Sequence, residues 1–261
     1  MIRTLLILVA LYAFAALGLT LFQRSFLYPA PSGSGGVPSG FEVSEYPTDD
    51  GLTLRAGYRA AAKGKPTIVY FHGNGADWQS SVVATDRLVP QGYGVLAAEY
   101  RGYASNPGSP SEEGLYADGR AALAWLDERG LSPKDIVIIG NSIGSGVAVQ
   151  MAQEVQPAAL VLISPFNSLE QLAGEKVWWL PTSLLLRDRY RNDLKLGTIE
   201  TPILILHGEA DTMIPAAHGR QLAAANPRTV LQTFPRAGHE LAWLDPAEQR
   251  TLEFLDEVLA R

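Results

Sequence analysis

The sequence predicts an α/β fold: a mostly parallel, doubly wound sheet with an antiparallel N-terminal hairpin, preceded by one apolar helix long enough to cross a membrane. Three observations carry that expectation. Thr67–Phe71, Gly94–Tyr100, Ile136–Ile139, Leu160–Ser164, Ile203–Leu206 and Thr229–Phe234 are short apolar runs. Most do not alternate, as expected for strands buried on both faces of a parallel sheet. Segments of helical length separate them, which implies strand–helix–strand crossovers. The third observation is the stretch from Thr4 to Phe22, which holds no charge.

That stretch, at about 1.5 Å rise per residue, reaches roughly 28 Å, close to a bilayer core of about 30 Å. Arg3 precedes it, Gln23-Arg24 follows, and Phe26 and Tyr28 fall where an interfacial aromatic belt would lie. Residues 1–28 are therefore expected to be an uncleaved single-pass anchor whose partner is the bilayer through residues 4–22. Ala16-Leu17-Gly18 is a weak small-x-small site, so a cleaved signal peptide is the alternative. Arg3 and Arg24 flank the span almost evenly and orient it weakly. The expected arrangement puts the N-terminus inside and the domain on the non-cytoplasmic side.

Pro29 to Gly40 reads PAPSGSGGVPSG, a linker composition. From Phe41 onward roughly 220 residues remain, enough for one sizeable core, so residues 41–261 are expected to form a single domain. Phe41–Tyr46 and Leu52–Tyr58 flank Thr48-Asp49-Asp50-Gly51, and the second run alternates apolar with polar or small residues: a half-buried hairpin with an Asp-Gly turn. Ser109-Pro110-Ser111-Glu112 has the form of a capping box with Pro at the first helical position, and Gly130 is placed to end that helix. Ser142–Gln153, Pro215–Ala225 and Pro246–Leu259 also read as helices.

Composition excludes several functions. The 21 Lys and Arg against 27 Asp and Glu give a net charge of −6, and no basic stripe is visible. A nucleic-acid partner is not expected. With no cysteine, a disulfide framework, a thiolate nucleophile and a cysteine zinc site are all excluded.

In a doubly wound sheet, ligands bind beyond the carboxyl ends of the strands. After Ile136–Ile139 comes Gly140-Asn141-Ser142-Ile143-Gly144, a G-x-S-x-G with a strand before it and a helix after. The glycines permit a sharp turn that holds the Ser142 hydroxyl at the helix N-terminus. After Thr67–Phe71 comes His72-Gly73-Asn74-Gly75, where the Asn74 N–H would complete an oxyanion hole with the N–H of Ile143. After Ile203–Leu206 lie Glu209 and Asp211; the pattern H-G-x-x-D-x-x-x-P favours Asp211 as the carboxylate that orients an imidazole and leaves Glu209 as a solvated loop acid. After Thr229–Phe234 comes Gly238-His239. Of the four histidines, His72 and His207 belong to other loops and His218 to a helix surface. His239 is thus the expected base, in the chain order Ser142, Asp211, His239.

These segments together with Glu99-Tyr100-Arg101-Gly102-Tyr103, Ser164-Pro165-Phe166-Asn167-Ser168 and the anchor resemble the α/β-hydrolase superfamily over residues 41–261. Within it they are similar to a membrane-anchored, serine aminopeptidase-like branch that includes depalmitoylase relatives. Glu99 stands where relatives usually show Asp, and Ala104 where Gly is common. The resemblance implies an esterase- or thioesterase-like serine hydrolase acting through an acyl-enzyme, without metal or organic cofactor. An acyltransferase or peptidase with the same residues, and a non-catalytic membrane-tethered module, are the alternatives. The natural substrate and the oligomeric state stay open. About residues 165–201 should form a short cap. Its Trp178, Trp179 and Leu185 are candidate walls of an apolar acyl groove, with Arg187 and Arg189 at the rim; a helix packed on the core is the other reading.

Overall fold

The computed structural model describes residues 1–31 and 36–260. Part of the expected linker, residues 32–35, lies outside the described residues. The strands are β1 (Glu42–Pro47), β2 (Thr53–Arg59), β3 (Thr67–Phe71), β4 (Gly94–Ala98), β5 (Ile136–Asn141), β6 (Ala159–Ile163), β7 (Ile203–Gly208) and β8 (Thr229–Phe234). They form one sheet in the order β1-β2-β4-β3-β5-β6-β7-β8. β2 pairs antiparallel with β1 and β4, and every other pairing is parallel.

The helices are α1 (Ile2–Leu27), α2 (Trp78–Val83), α3 (Glu112–Asp127), α4 (Ile143–Val155), α5 (Leu169–Lys176), α6 (Thr182–Leu185), α7 (Asn192–Lys195), α8 (Ala216–Ala225) and α9 (Asp245–Leu259). The central strands are continuously apolar because alternate residues feed two different layers. Val69, Leu96, Ile138, Leu160 and Ile205 join a core with Leu115 and Leu126 of α3 and Val147 and Met151 of α4. Ile68, Val95, Val137, Val161 and Leu204 join the opposite core with Trp78 of α2 and Phe254 and Leu255 of α9. β8 is the sheet edge, and its burial alternates, unlike that of its neighbours.

Local chemistry sets the helix ends. Gly130 takes φ 81; its N–H donates to the Asp127 carbonyl and the Leu131 N–H to the Leu126 carbonyl, closing α3 as the sequence predicts. The start of α3 differs from expectation. Ser111 is the N-cap, accepting from the Gly114 N–H at 3.1 Å, so Pro110 precedes the cap. The Glu112 carboxylate that a capping box would use accepts instead from the Tyr116 hydroxyl at 2.8 Å and the Arg189 N–H at 2.5 Å. α2 carried no hydrophobic period; Asp77 caps it, accepting from the N–H groups of Gln79 and Ser80.

His218 is a correction. It is buried, not on the surface. Its Nδ1 accepts from the Asn167 N–H at 3.1 Å and its Nε2 faces Glu175 at 3.1 Å. One face of α8 lies under the segment between β6 and β7, and that packing is invisible to a local reading.

Candidate active site

β3, β5, β7 and β8 deliver four loops to one edge of the sheet. At the end of β5 the chain reverses into α4 at Ser142, held at φ 54 and ψ −120. That backbone is rare for a residue with a Cβ. Gly140 and Gly144 make the reversal sterically possible: a Cβ on Gly140 would lie 2.5 Å from that of Ala148, and one on Gly144 would collide with the Phe71 carbonyl oxygen. Ser142 is fixed by its own N–H, which donates to the Ile163 carbonyl at 3.0 Å.

The structure brings Ser142, His239 and Asp211 together. His239 Nε2 lies 3.0 Å from Ser142 Oγ, and its Nδ1 lies 2.8 Å from Asp211 Oδ2. Asp211 Oδ1 accepts from the N–H groups of Met213 at 2.9 Å and Ile214 at 2.8 Å. Burial alone would raise the Asp211 pKa, but the hydrogen bonds from His239 and these amides outweigh it and hold the carboxyl below its ordinary value. With Asp211 ionised, Nδ1 is the donor and Nε2 is left free to accept from the Ser142 hydroxyl.

His207 is the nearest rival for Asp211, at 3.8 Å. Its Nε2 lies 2.8 Å from the Ile214 carbonyl, so that nitrogen carries the proton. Burial lowers the His207 pKa below its ordinary value, and the ring is a neutral brace of the loop. Glu209 turns away to Arg220 at 2.5 Å.

The loop after β3 lies against the same serine; a Cβ on Gly73 would be 3.2 Å from Ser142 Cβ. Among the described residues, the backbone N–H groups of Asn74 and Ile143 have no hydrogen-bond partner. The Asn74 side chain accepts from the Tyr103 hydroxyl at 3.0 Å and donates to the Leu27 carbonyl at 2.5 Å. Beneath the loop, His72 Nε2 meets Glu99 at 2.6 Å, and the other Glu99 oxygen accepts from the Trp78 N–H at 2.8 Å. Burial works against a charge on His72, yet the Glu99 carboxylate and the Gly73 carbonyl prevail and raise its pKa.

Three residues that the sequence reading took as flanks of the apolar span bind the end of α1 to this edge. Arg24 forms two hydrogen bonds to Asp188, both at 2.9 Å. The Tyr28 hydroxyl reaches Asp188 at 3.1 Å and the Tyr190 hydroxyl at 3.0 Å. Gln23 donates to the Leu185 carbonyl and accepts from the Arg187 N–H. The Gly75 N–H donates to the Pro29 carbonyl at 3.0 Å, so chain expected to be linker is tied to the loop after β3. An acidic residue between two arginines in an apolar segment was the available signal for Asp188.

An apolar groove of about 470 Å³ runs between α1 and the segment joining β6 to β7, the stretch expected to be a cap. Leu185 lines it, as do Leu19 and Leu27 of α1, Leu172 and Val177 of the cap, and Met213. Trp178 and Trp179 do not. Trp178 is 82% exposed, and Trp179 packs edge-to-face on Tyr12 of α1 with ring centroids 6.2 Å apart. Arg189 is not a free rim residue either; its guanidinium reaches the Ser183 carbonyl at 2.6 Å. The expectation failed because the cap packs on α1 and not only on the sheet. Among the described residues, no cluster of three or more acidic or histidine side chains is arranged to hold a metal ion.

This fold defines the class: the chain belongs to the α/β-hydrolase family. The Alpha/beta hydrolase family model matches residues 68–195. The chain is 37% identical over 245 residues to an uncharacterised protein of Mycobacterium tuberculosis, Rv2307c, covering 88% of this chain and 86% of that one. It is 31% identical over 208 residues to alpha/beta hydrolase domain-containing protein 17B of Xenopus tropicalis, covering 78% and 67%. The Pyrococcus furiosus esterase Pf2001 structure superposes with a TM-score of 0.73 at 21% identity, covering 88% of this chain and 99% of that one.

Proposed function

We propose that this protein is a membrane-anchored serine hydrolase that cleaves a carboxylic ester or thioester through an acyl-enzyme on Ser142. The hydrogen-bonded series Ser142–His239–Asp211 at 3.0 and 2.8 Å carries the reading. His239 Nε2 takes the Ser142 proton as Oγ attacks the carbonyl carbon, while Asp211 fixes the ring tautomer and stabilises the imidazolium. The N–H groups of Asn74 and Ile143, unpaired and beside Ser142, receive the developing oxyanion. His239 then protonates the leaving group, and water repeats the sequence on the acyl-enzyme.

The groove beside the site supports a preference for apolar acyl groups, at about 0.8 kcal/mol per buried CH₂ until the groove is filled. α1 is the anchor. Its mean hydropathy over an 18-residue window is 2.5, and that window is not buried in the protein. The decisive experiment is labelling with a fluorophosphonate probe, followed by a panel of esters and thioesters of increasing chain length. Wild type should be labelled and Ser142→Ala should not, and kcat/KM should rise by about tenfold per two carbons before levelling off. Equal labelling of both proteins refutes the nucleophile; best activity on charged peptide amides refutes the acyl preference.

A further inference from the structure

The anchor and the cap meet at two heights. Near the C-terminal end of α1 the contacts are polar, through Gln23 and Arg24. Further toward the N-terminus, the Tyr12 hydroxyl donates to the Trp179 carbonyl at 3.1 Å. Tyr12 lies near the middle of the uncharged run, and at about 1.5 Å per residue that contact is roughly 15 Å along the helix from Phe22. A cap that touches the span at this depth shares its surroundings. Its tip is apolar and outward: Trp178 is 82% and Leu184 81% exposed, and α1 itself exposes Leu17, Leu21 and Phe22. Large apolar side chains exposed on the tip of a segment that touches the span fit immersion in the layer that holds α1.

The groove opens between these two elements. Most of its polar atoms are already committed. The Thr20 hydroxyl donates to the Ala16 carbonyl at 2.7 Å, and the Gln23 amide is divided among Thr20, Leu185 and Arg187. Lys176, also in the lining, turns its ammonium to the Thr212 carbonyl at 2.7 Å. Apart from the Thr182 hydroxyl, what remains facing the groove is hydrocarbon. Met213, whose N–H is bonded to Asp211, also lines it, so one wall of the groove belongs to the loop that carries Asp211.

We propose that this groove binds one hydrocarbon chain of a bilayer lipid, admitted sideways from the leaflet in which the cap tip is immersed, so that α1 is a wall of the substrate site as well as a tether. The proposal rests on the reading of Ser142 as nucleophile for the use of the groove, though not for its occupancy.

The test uses the full-length chain carrying Ser142→Ala, reconstituted in phosphatidylcholine vesicles that contain phosphatidylcholine with a mid-chain diazirine. After irradiation, cross-links mapped by mass spectrometry should fall on Leu172, Val177 or Met213, with the outward residues of α1 between Leu5 and Phe14 as internal reference. Ala173→Trp and Thr20→Trp fill the groove from opposite walls and should each lower groove labelling about tenfold against that reference. Quenching of tryptophan fluorescence by brominated phosphatidylcholine should be largely lost in the Trp178→Phe/Trp179→Phe double variant. Labelling confined to the reference residues, groove labelling that both filling variants leave unchanged, or quenching that survives the double variant overturns the proposal. Fluorophosphonate labelling of the wild type is scored in parallel. Its failure with groove labelling intact removes the hydrolase reading alone.

Discussion

Ser142 stores backbone strain, and the strain can be measured apart from the chemistry. Ser142→Ala and Ser142→Gly both delete Oγ and its 3.0 Å contact with His239, so that loss cancels between them. They differ in the Cβ, which makes φ 54, ψ −120 unfavourable. Residues held in such regions cost about 1–3 kcal/mol, whereas glycine loses about 0.5–1 kcal/mol more chain entropy on folding than alanine. The balance leaves Ser142→Gly more stable than Ser142→Ala by up to about 2.5 kcal/mol, with a midpoint near ~1 kcal/mol. For a chain of this size each kcal/mol is roughly 2–4 °C in Tm. Both variants should lose kcat by roughly 10³–10⁶. Thermal and urea denaturation in a fixed detergent would read the difference, with ester hydrolysis in parallel. If the glycine variant is no more stable than the alanine variant, the turn is not strained and the strand–helix geometry is relaxed as it stands.

Three further outcomes follow from named contacts. Asp211→Asn should lower kcat by about 10⁴ through the wrong His239 tautomer, with Glu209→Gln changing it little; the reverse ranking in steady-state kinetics would move the carboxylate role to Glu209. The raised pKa of His72 makes its protonated pair with Glu99 stabilising below the unfolded histidine value of about 6.5, and that contribution is lost as pH rises through the folded value. Wild type should therefore lose more Tm between pH 6 and about 9 than Glu99→Gln does, and parallel melting curves for the two would rule out the linkage. Gly144→Ala should destabilise by about 3 kcal/mol or more, because its Cβ has no space beside the Phe71 carbonyl; near-native urea stability would show that α4 can shift away from β3.

What was legible in the sequence and what was not divide along a physical line. The sheet could be read because each central strand is buried on both faces, which writes a continuous apolar run whatever its neighbours are. The relation of Ser142, Asp211 and His239 could be read because all three sit just past such runs, so the strand ends fix the loops in space before any side chain is considered. The contacts between α1 and the segment joining β6 to β7 were not legible because they are non-local and partly polar. Asp188 looks like a surface acid between two arginines until Arg24 and Tyr28 arrive from the other end of the chain. Trp178 and Trp179 looked like groove walls, since an apolar run beside a site suggests a lining. With α1 packed alongside, the same run has a different use, as Trp179 braces Tyr12 and Trp178 faces outward. The groove's walls come instead from residues with no motif, Leu19, Leu172 and Val177, which acquire a role only when two segments far apart in sequence are set side by side. A helix that lends a wall to the groove and whose end is bonded to the loop after β3 through Asn74 and Gly75 cannot be separated from the site it anchors. Substitutions along α1 between Leu19 and Tyr28 should therefore alter acyl-chain discrimination before they alter membrane attachment.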